Sequence, residues 1–344
     1  MTPEQVVALL HARPWAAQPW AHDLVAAFPE RLRGVLTHWG LELRQVHLAG
    51  AGLPVLEAER RPGPAGPQDR PEGRESPEGD AQAGRGVVVK FGGGGADVAQ
   101  QARILDAADG HGYVRLLAYD PRHDALLLER LGPILPQTVP DPVAQTDVLG
   151  DLLLKAWEVP LAVGIPFTPQ HKARSLLAII DSALAADGLD SPLQAHNPAD
   201  ICADTHADVL ARARTLALDL IESPSPHQVV VHGDPHPANV LQRGDSHVLI
   251  DPDGFLCEPE YDLGVALRDH QQVIEALDRT DGPGSGRRWH AALAERLAGR
   301  VGLDAERTLA WAHLERVTSG VYLSRLGYTE EGEAWLRTAR RVLR

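Results

Sequence analysis

Two short apolar runs, Val229–Val231 and Val248–Ile250, bracket the polar stretch His232-Gly233-Asp234-Pro235-His236-Pro237-Ala238-Asn239. The second run leads straight into Asp251-Pro252-Asp253-Gly254. Apolar runs of that length, bounded by turn residues, read as buried strands. A loop held between two such strands keeps its polar groups in fixed relation, as a reacting site needs. The parts are an Asp, an Asn shortly after it, and a second Asp beyond a strand. One carboxylate can orient and deprotonate a hydroxyl, while an amide and a carboxylate oxygen are hard ligands that hold magnesium against phosphates. Isolated Asp and Asn residues usually cap turns, but here three spaced groups coincide with two strands. A metal or hydrolase site made of His232, Asp234 and His236 is a further alternative. Pro235 and Pro237 interrupt the strand it would need, and they favour an extended turn around Asn239 over a helix.

At 344 residues with 44% hydrophobic side chains, the chain can build a substantial core and has the length for two lobes. The formal net charge of -14 disfavours a nucleic-acid partner and would attract a cationic small molecule. Cys202 and Cys257 do not make a disulfide framework. No segment approaches the ~20 apolar residues of a membrane span, and no apolar run of signal length opens the chain. No membrane partner is expected, and the expected location is cytoplasmic.

Thr2-Pro3-Glu4-Gln5 has the form of a capped helix start. A second helix is expected from Ala21 to Trp39, with Leu24, Phe28, Leu32 and Leu36 on its apolar face. Leu41–Leu48 alternates, Ala49-Gly50-Ala51-Gly52 breaks the pattern, and Pro54–Glu59 resumes it. That predicts a hairpin whose small residues would let backbone amides approach phosphates. Residues 61–86 are rich in Pro, Gly and charge, and cannot pack a core. Gly86–Phe91 is a compact strand whose Lys90 suits either phosphate contact or a snorkelling surface position. A helix is expected from Ala96 to Ala108, and Ala125–Leu131 reads as a buried strand with a polar end. Beyond it helices dominate, around Val148–Trp157, Leu176–Leu184, Val209–Ile221, Ala291–Leu297, Ala305–Leu323 and Glu331–Leu343, with a loop at Gly282–Gly286.

HGDPHPANVL and IDPDGFLCEPEYDLG together resemble the catalytic and metal-binding loops of the aminoglycoside phosphotransferases. DGHGYVRLL, LLLERL and the Trp311-containing helix look most like the streptomycin 6-kinase and hydroxyurea-kinase branch. The resemblance implies an α+β, protein-kinase-like bilobal fold. Residues 1–128 would form a small mixed N-terminal lobe with an antiparallel sheet, a helical extension and the 61–86 insertion. Residues 129–131 would be the hinge, and 132–344 a larger, mostly helical C-terminal lobe carrying the catalytic and metal-binding loops. It implies ATP and Mg2+ as cofactors, with ATP between the lobes. The acceptor would be a small, polar or cationic hydroxyl-bearing molecule, with streptomycin the leading example and hydroxyurea, amino-alcohols or sugars as alternatives. Asp234 would be the base and meet the substrate, His232 would organise the loop, and Asn239 and Asp251 would bind the metal. Lys90 would contact the phosphates, and the backbone from Glu129 to Leu131 would meet the adenine. The family's helix Glu that holds the Lys is matched here by Gln101, with Asp97 as a substitute one turn earlier; this leaves a noncatalytic ATP-binding protein as another alternative. Asp262 would be a buried brace, and Glu258 and Glu260 neighbours of a cationic substrate. Trp311, His313 and Glu315 are further candidates for the acceptor pocket.

Overall fold

The computed structural model describes residues 2–48, 53–61, 86–93, 97–186 and 198–343. It divides into two compact units, Met1–Gly132 and Pro133–Arg344. The architecture is the expected α+β kinase-like one: an antiparallel sheet with few helices in the first unit, and a larger, mostly helical second unit.

The first unit opens with α1 (Pro3–His11), whose Thr2 cap and Gln5 close the expected box. Helix α2 (His22–His38) follows. Its buried face is Val25, Phe28, Leu32 and Val35, whereas Leu24 and Leu36 are only half-buried. A strict four-residue repeat drifts around an α-helix of 3.6 residues per turn; alternating steps of three and four hold one face. The sheet runs in the order β1 (Leu41–His47), β2 (Val55–Arg60), β3 (Gly86–Phe91), β5 (Ala125–Glu129), β4 (Leu116–Asp120), all neighbours antiparallel. The expected glycine turn at 49–52 lies outside the described residues, as does the insertion between Arg61 and Gly86. Phe28 of α2 meets Phe91 of β3 edge to face at 5.2 Å. Arg31 donates to the carbonyls of Gly92, His123 and Asp124, fixing α2 to the chain just after β3 and to the turn that leads into β5. Full burial of each such Phe or Leu contributes roughly 1.5–3 kcal/mol. Helix α3 (Val98–Ala108) starts later than the sequence suggests, because Asp97 caps it by accepting from the Gln100 amide.

The second unit contains α4 (Leu135–Thr138), α5 (Pro142–Ala156), α6 (His171–Ala186) and α7 (Pro198–Glu222). Strands β6 (Val229–Val231), β7 (Val240–Arg243), β8 (Ser246–Leu249) and β9 (Phe255–Cys257) come next. They are followed by α8 (Pro259–Arg268), α9 (Gln271–Thr280), α10 (Ser285–Val301), α11 (Ala305–Arg325) and α12 (Thr329–Arg341). The two apolar runs that bracket the polar stretch do not pair with each other: β6 pairs with β9, and β7 with β8. Asn239 ends a short 3-10 turn, Pro237–Asn239, and not the extended segment expected. Pro237 stands at its first position, where a missing N–H costs nothing. Helix α10 begins at Ser285, inside the expected loop, and α9 was not foreseen. No helix of the described residues is long and apolar enough to cross a membrane.

Candidate active site

The polar loop between β6 and β7 is held chiefly by groups far from it in sequence. The fully buried Asp262, in the first turn of α8, accepts from the His232 amide at 2.8 Å and the Gly233 amide at 2.9 Å. It also accepts from the Trp157 indole at 2.9 Å. The expected brace is therefore present, and the amides it takes belong to the loop and not to its own helix. Burial pushes this carboxyl up to about 6, against the opposing pull of its donors. His232 is also fully buried. Its Nδ1 accepts from the Asp234 amide at 3.1 Å, so the proton sits on Nε2, which donates to the Ile250 carbonyl at 2.8 Å. The ring thus ties the first loop to the strand end that leads into Asp251. Gly233 has φ +94°, and a Cβ there would lie 2.5 Å from Asp253 Oδ2, so only glycine fits.

Asn239 Nδ2 donates to the Asp234 carbonyl at 2.9 Å and lies 3.3 Å from Asp234 Oδ2. With the amide nitrogen so engaged, Oδ1 is the atom presented to a cation. Asp251 adopts a left-handed backbone, φ +66°, one residue beyond Ile250. One amide oxygen and one carboxylate fit a magnesium ion that draws its remaining ligands from phosphates and water.

Asp234 is the one carboxylate of the loop. Arg268, at the end of α8, donates Nη2 to its Oδ1, and His236 Nε2 lies 3.5 Å from its Oδ2. Burial pushes this carboxyl up, but neighbouring positive charge, Arg268 first, holds it below the usual range. Arg268 also lies 3.5 Å from Glu315 of α11, which accepts from the Tyr261 hydroxyl at 2.8 Å and faces Lys172 at 3.4 Å. Sequence reasoning passed over Arg268. Its signal was a lone Arg closing a helix whose preceding residues are all buried.

In the first unit, Lys90 Nζ donates to Gln101 Oε1 at 3.0 Å. Gln101 is thus a partner of Lys90, and Asp97 caps α3. Glu129 ends β5; its amide donates to the Arg115 carbonyl at 3.2 Å and its carboxylate accepts from the Arg115 amide at 2.8 Å. Leu131 follows outside any regular element, half-buried.

Two expectations need correction. Glu258 is not a free acidic neighbour for a substrate. It is buried in a two-pronged ion pair with Arg307, 2.5 and 2.6 Å, and accepts from the Trp311 indole. Trp311 is spent on that contact, and His313 lies with the arginines behind α11; of the three late candidates only Glu315 joins the Arg268 cluster. Glu260 is buried too, and burial raises its carboxyl above the usual range.

The aminoglycoside/hydroxyurea antibiotic resistance kinase family matches residues 81–327. A streptomycin 6-kinase of Streptomyces glaucescens is 30% identical over 207 residues, 60% of this chain. The match likewise spans 60% of that curated relative's length. Among solved structures, an ethanolamine kinase of Plasmodium vivax aligns with a TM-score of 0.56 at 11% identity, covering 99% of this chain and 93% of the other. A choline kinase, LicA, of Streptococcus pneumoniae gives 0.54 at 12%, covering 91% and 98%. At such identities the likeness is one of fold.

Proposed function

The chain belongs to the aminoglycoside/hydroxyurea antibiotic resistance kinase family, and on that footing we propose that it transfers the γ-phosphoryl group of ATP to a hydroxyl of a small polar molecule. The observation that carries the reading is the mutual tying of Asp234, Asn239 and His232, with Asp262 bracing the loop beneath them. In this reading Asp234 aligns the acceptor hydroxyl and takes its proton. Asn239 and Asp251 hold magnesium, Lys90 contacts the phosphates with Gln101 as its support, and the Glu129–Leu131 backbone receives the adenine. Bound magnesium–ATP supplies the phosphoryl group and spreads the developing charge. Use of ATP accords with a cytoplasmic location.

The acceptor reading widens from an aminocyclitol such as streptomycin to amino-alcohols, sugar-like polyols and hydroxyurea-like compounds. Glu258 is committed to Arg307, and Arg268 and Lys172 offset the carboxylates of Asp234 and Glu315. That balance suits a neutral or singly charged acceptor better than a polycation. The neutral Gln101 beside Lys90 favours one second reading, a chain that binds ATP without turning it over.

The test is ATP consumption across a panel of those acceptor classes, with mass detection of the phosphorylated product. Asp234→Ala is expected to lower transfer by at least ~100-fold with ATP affinity nearly intact, the usual size of a general-base contribution. Near-normal turnover in Asp234→Ala removes that residue from its role. ATP binding without product from any acceptor supports the second reading.

A further inference from the structure

Lys172, in the first turn of α6, brings an ammonium to a recess built by three other elements of the second unit. Its Nζ stands 5.0 Å from the ring centre of Tyr261 in α8 and 5.6 Å from that of Phe255 in β9. It also lies 3.4 Å from Oε1 of the buried Glu315 in α11. Both rings are held by further aromatics. Trp311 meets Tyr261 edge to face at 5.2 Å, and Phe167 packs on Phe255 at 5.6 Å. Aromatic faces beside a carboxylate are the parts that bind an alkylammonium, through the ring quadrupoles and through charge. Here the chain supplies that cation itself.

The recess adjoins the residue assigned as base. Arg268 stands 3.5 Å from Glu315 and donates to Asp234, so only two side chains separate Lys172 from Asp234. The Tyr261 hydroxyl lies 3.1 Å from the carbonyl of Gly233, the residue before Asp234. Arg316 of α11, fully buried, donates to the carbonyls of Leu267 and Arg268, both at 2.8 Å, and so fixes the end of α8 that carries Arg268. The Lys172 side chain is 23% exposed and that of Glu315 only 7%. What the recess shows to solvent is therefore the ammonium more than the carboxylate beneath it.

We propose that Lys172 determines acceptor specificity: it is a tethered cation that fills the ammonium recess beside the base and turns away cationic acceptors in favour of uncharged ones. The proposal rests on the reading of Asp234 as the base of a small-molecule kinase, and it narrows the acceptor class of that reading. A second ammonium finds the rings covered and Glu315 already paired, and it is repelled by Lys172 and Arg268. An uncharged hydroxyl compound meets no such repulsion.

The experiment titrates the full chain by calorimetry, at constant ionic strength, with choline and with its uncharged carbon analogue dimethylbutanol. The wild type is expected to show no saturable choline binding. Lys172→Gln opens the recess and should bind choline about tenfold or more tighter than the wild type, with the affinity for dimethylbutanol little changed. Lys172→Arg keeps the charge and should exclude choline as the wild type does. Glu315→Gln added to Lys172→Gln should remove the gain. Lys155→Gln, at an exposed position of α5, removes the same charge elsewhere and should gain nothing. Circular dichroism verifies that each variant folds, and Lys172→Met, which keeps an apolar stem over the rings, stands in where Lys172→Gln does not. Three binding results overturn the proposal: wild type that binds choline as tightly as dimethylbutanol, a folded uncharged variant at 172 that gains nothing, or an equal gain in Lys155→Gln. These measurements need no turnover, so a chain that phosphorylates no acceptor tells against the proposed function and not against the filled recess. Where transfer is seen, the kcat/KM ratio of an amino-alcohol to its uncharged analogue should rise by about tenfold in Lys172→Gln; an unchanged ratio overturns the role in specificity.

Discussion

Deprotonating a hydroxyl near neutral pH asks a carboxylate to be ionised without being so well stabilised that it refuses a proton. At Asp234, burial works against ionisation and Arg268 works for it, with Arg268 the largest of the charges that prevail. Arg268→Gln removes the largest opposing charge, so the Asp234 pKa must rise. The acid limb of kcat/KM should then move to higher pH, read from a pH profile; an unmoved limb would show that another group sets it. Gln101→Glu places a charge where Lys90 now meets an amide at 3.0 Å. It should be tolerated and lower the apparent ATP Michaelis constant, whereas a severe loss would mean that the neutral pairing is required. The Lys90–Gln101 partnership was legible because a strand and the next helix carry it within a short stretch. The Asp234–Arg268 contact spans 34 positions, and no local spacing announces it.

Helix ends show how far local chemistry reaches. The Thr2 box could be read directly, because every atom of the cap lies within one turn. Strand partners could not: β6 chooses β9 over the neighbouring apolar run, a choice made by tertiary packing. Helix α9 escaped notice because its few apolar residues are set in a polar sequence, and only Ile274 is buried. The contact of α8 with α11 was equally invisible. At Gly264 a Cβ would lie 2.7 Å from the Ala312 backbone nitrogen, so the two helices meet main chain to main chain. Gly264→Ala should destabilise by about 1–3 kcal/mol, since backbone cannot move aside as a rotamer can. Gly299→Ala, in α10 with nothing within 4 Å, should be neutral or stabilise by roughly 0.5–1 kcal/mol. Chemical denaturation of both variants compares them; equal behaviour would deny the close approach.

Each unit has an apolar cluster of its own. Trp15, Phe28, Leu56 and Phe91 belong to one, and Ile180, Tyr261, Trp311 and Val317 to the other. A fragment of residues 133–344 should therefore keep helical circular dichroism and melt cooperatively; a fragment without a melting transition would make its core depend on the first unit. The family was legible at this scale because HGDPHPANVL and IDPDGFLCEPEYDLG each lie within one short run of sequence, whereas α9 was not.

The loop around Asp234 rests on parts that the ribosome delivers later. Asp262 and Arg268 come first, and Glu315 and Arg316 much later in the chain. A nascent chain that has emerged only through Asp251 holds every group assigned to magnesium and phosphate but no braced base. On the proposed function, transfer therefore waits until near the end of synthesis, when α11 meets α8. A product broken off before α11 would lack a finished base, whatever nucleotide it could still hold.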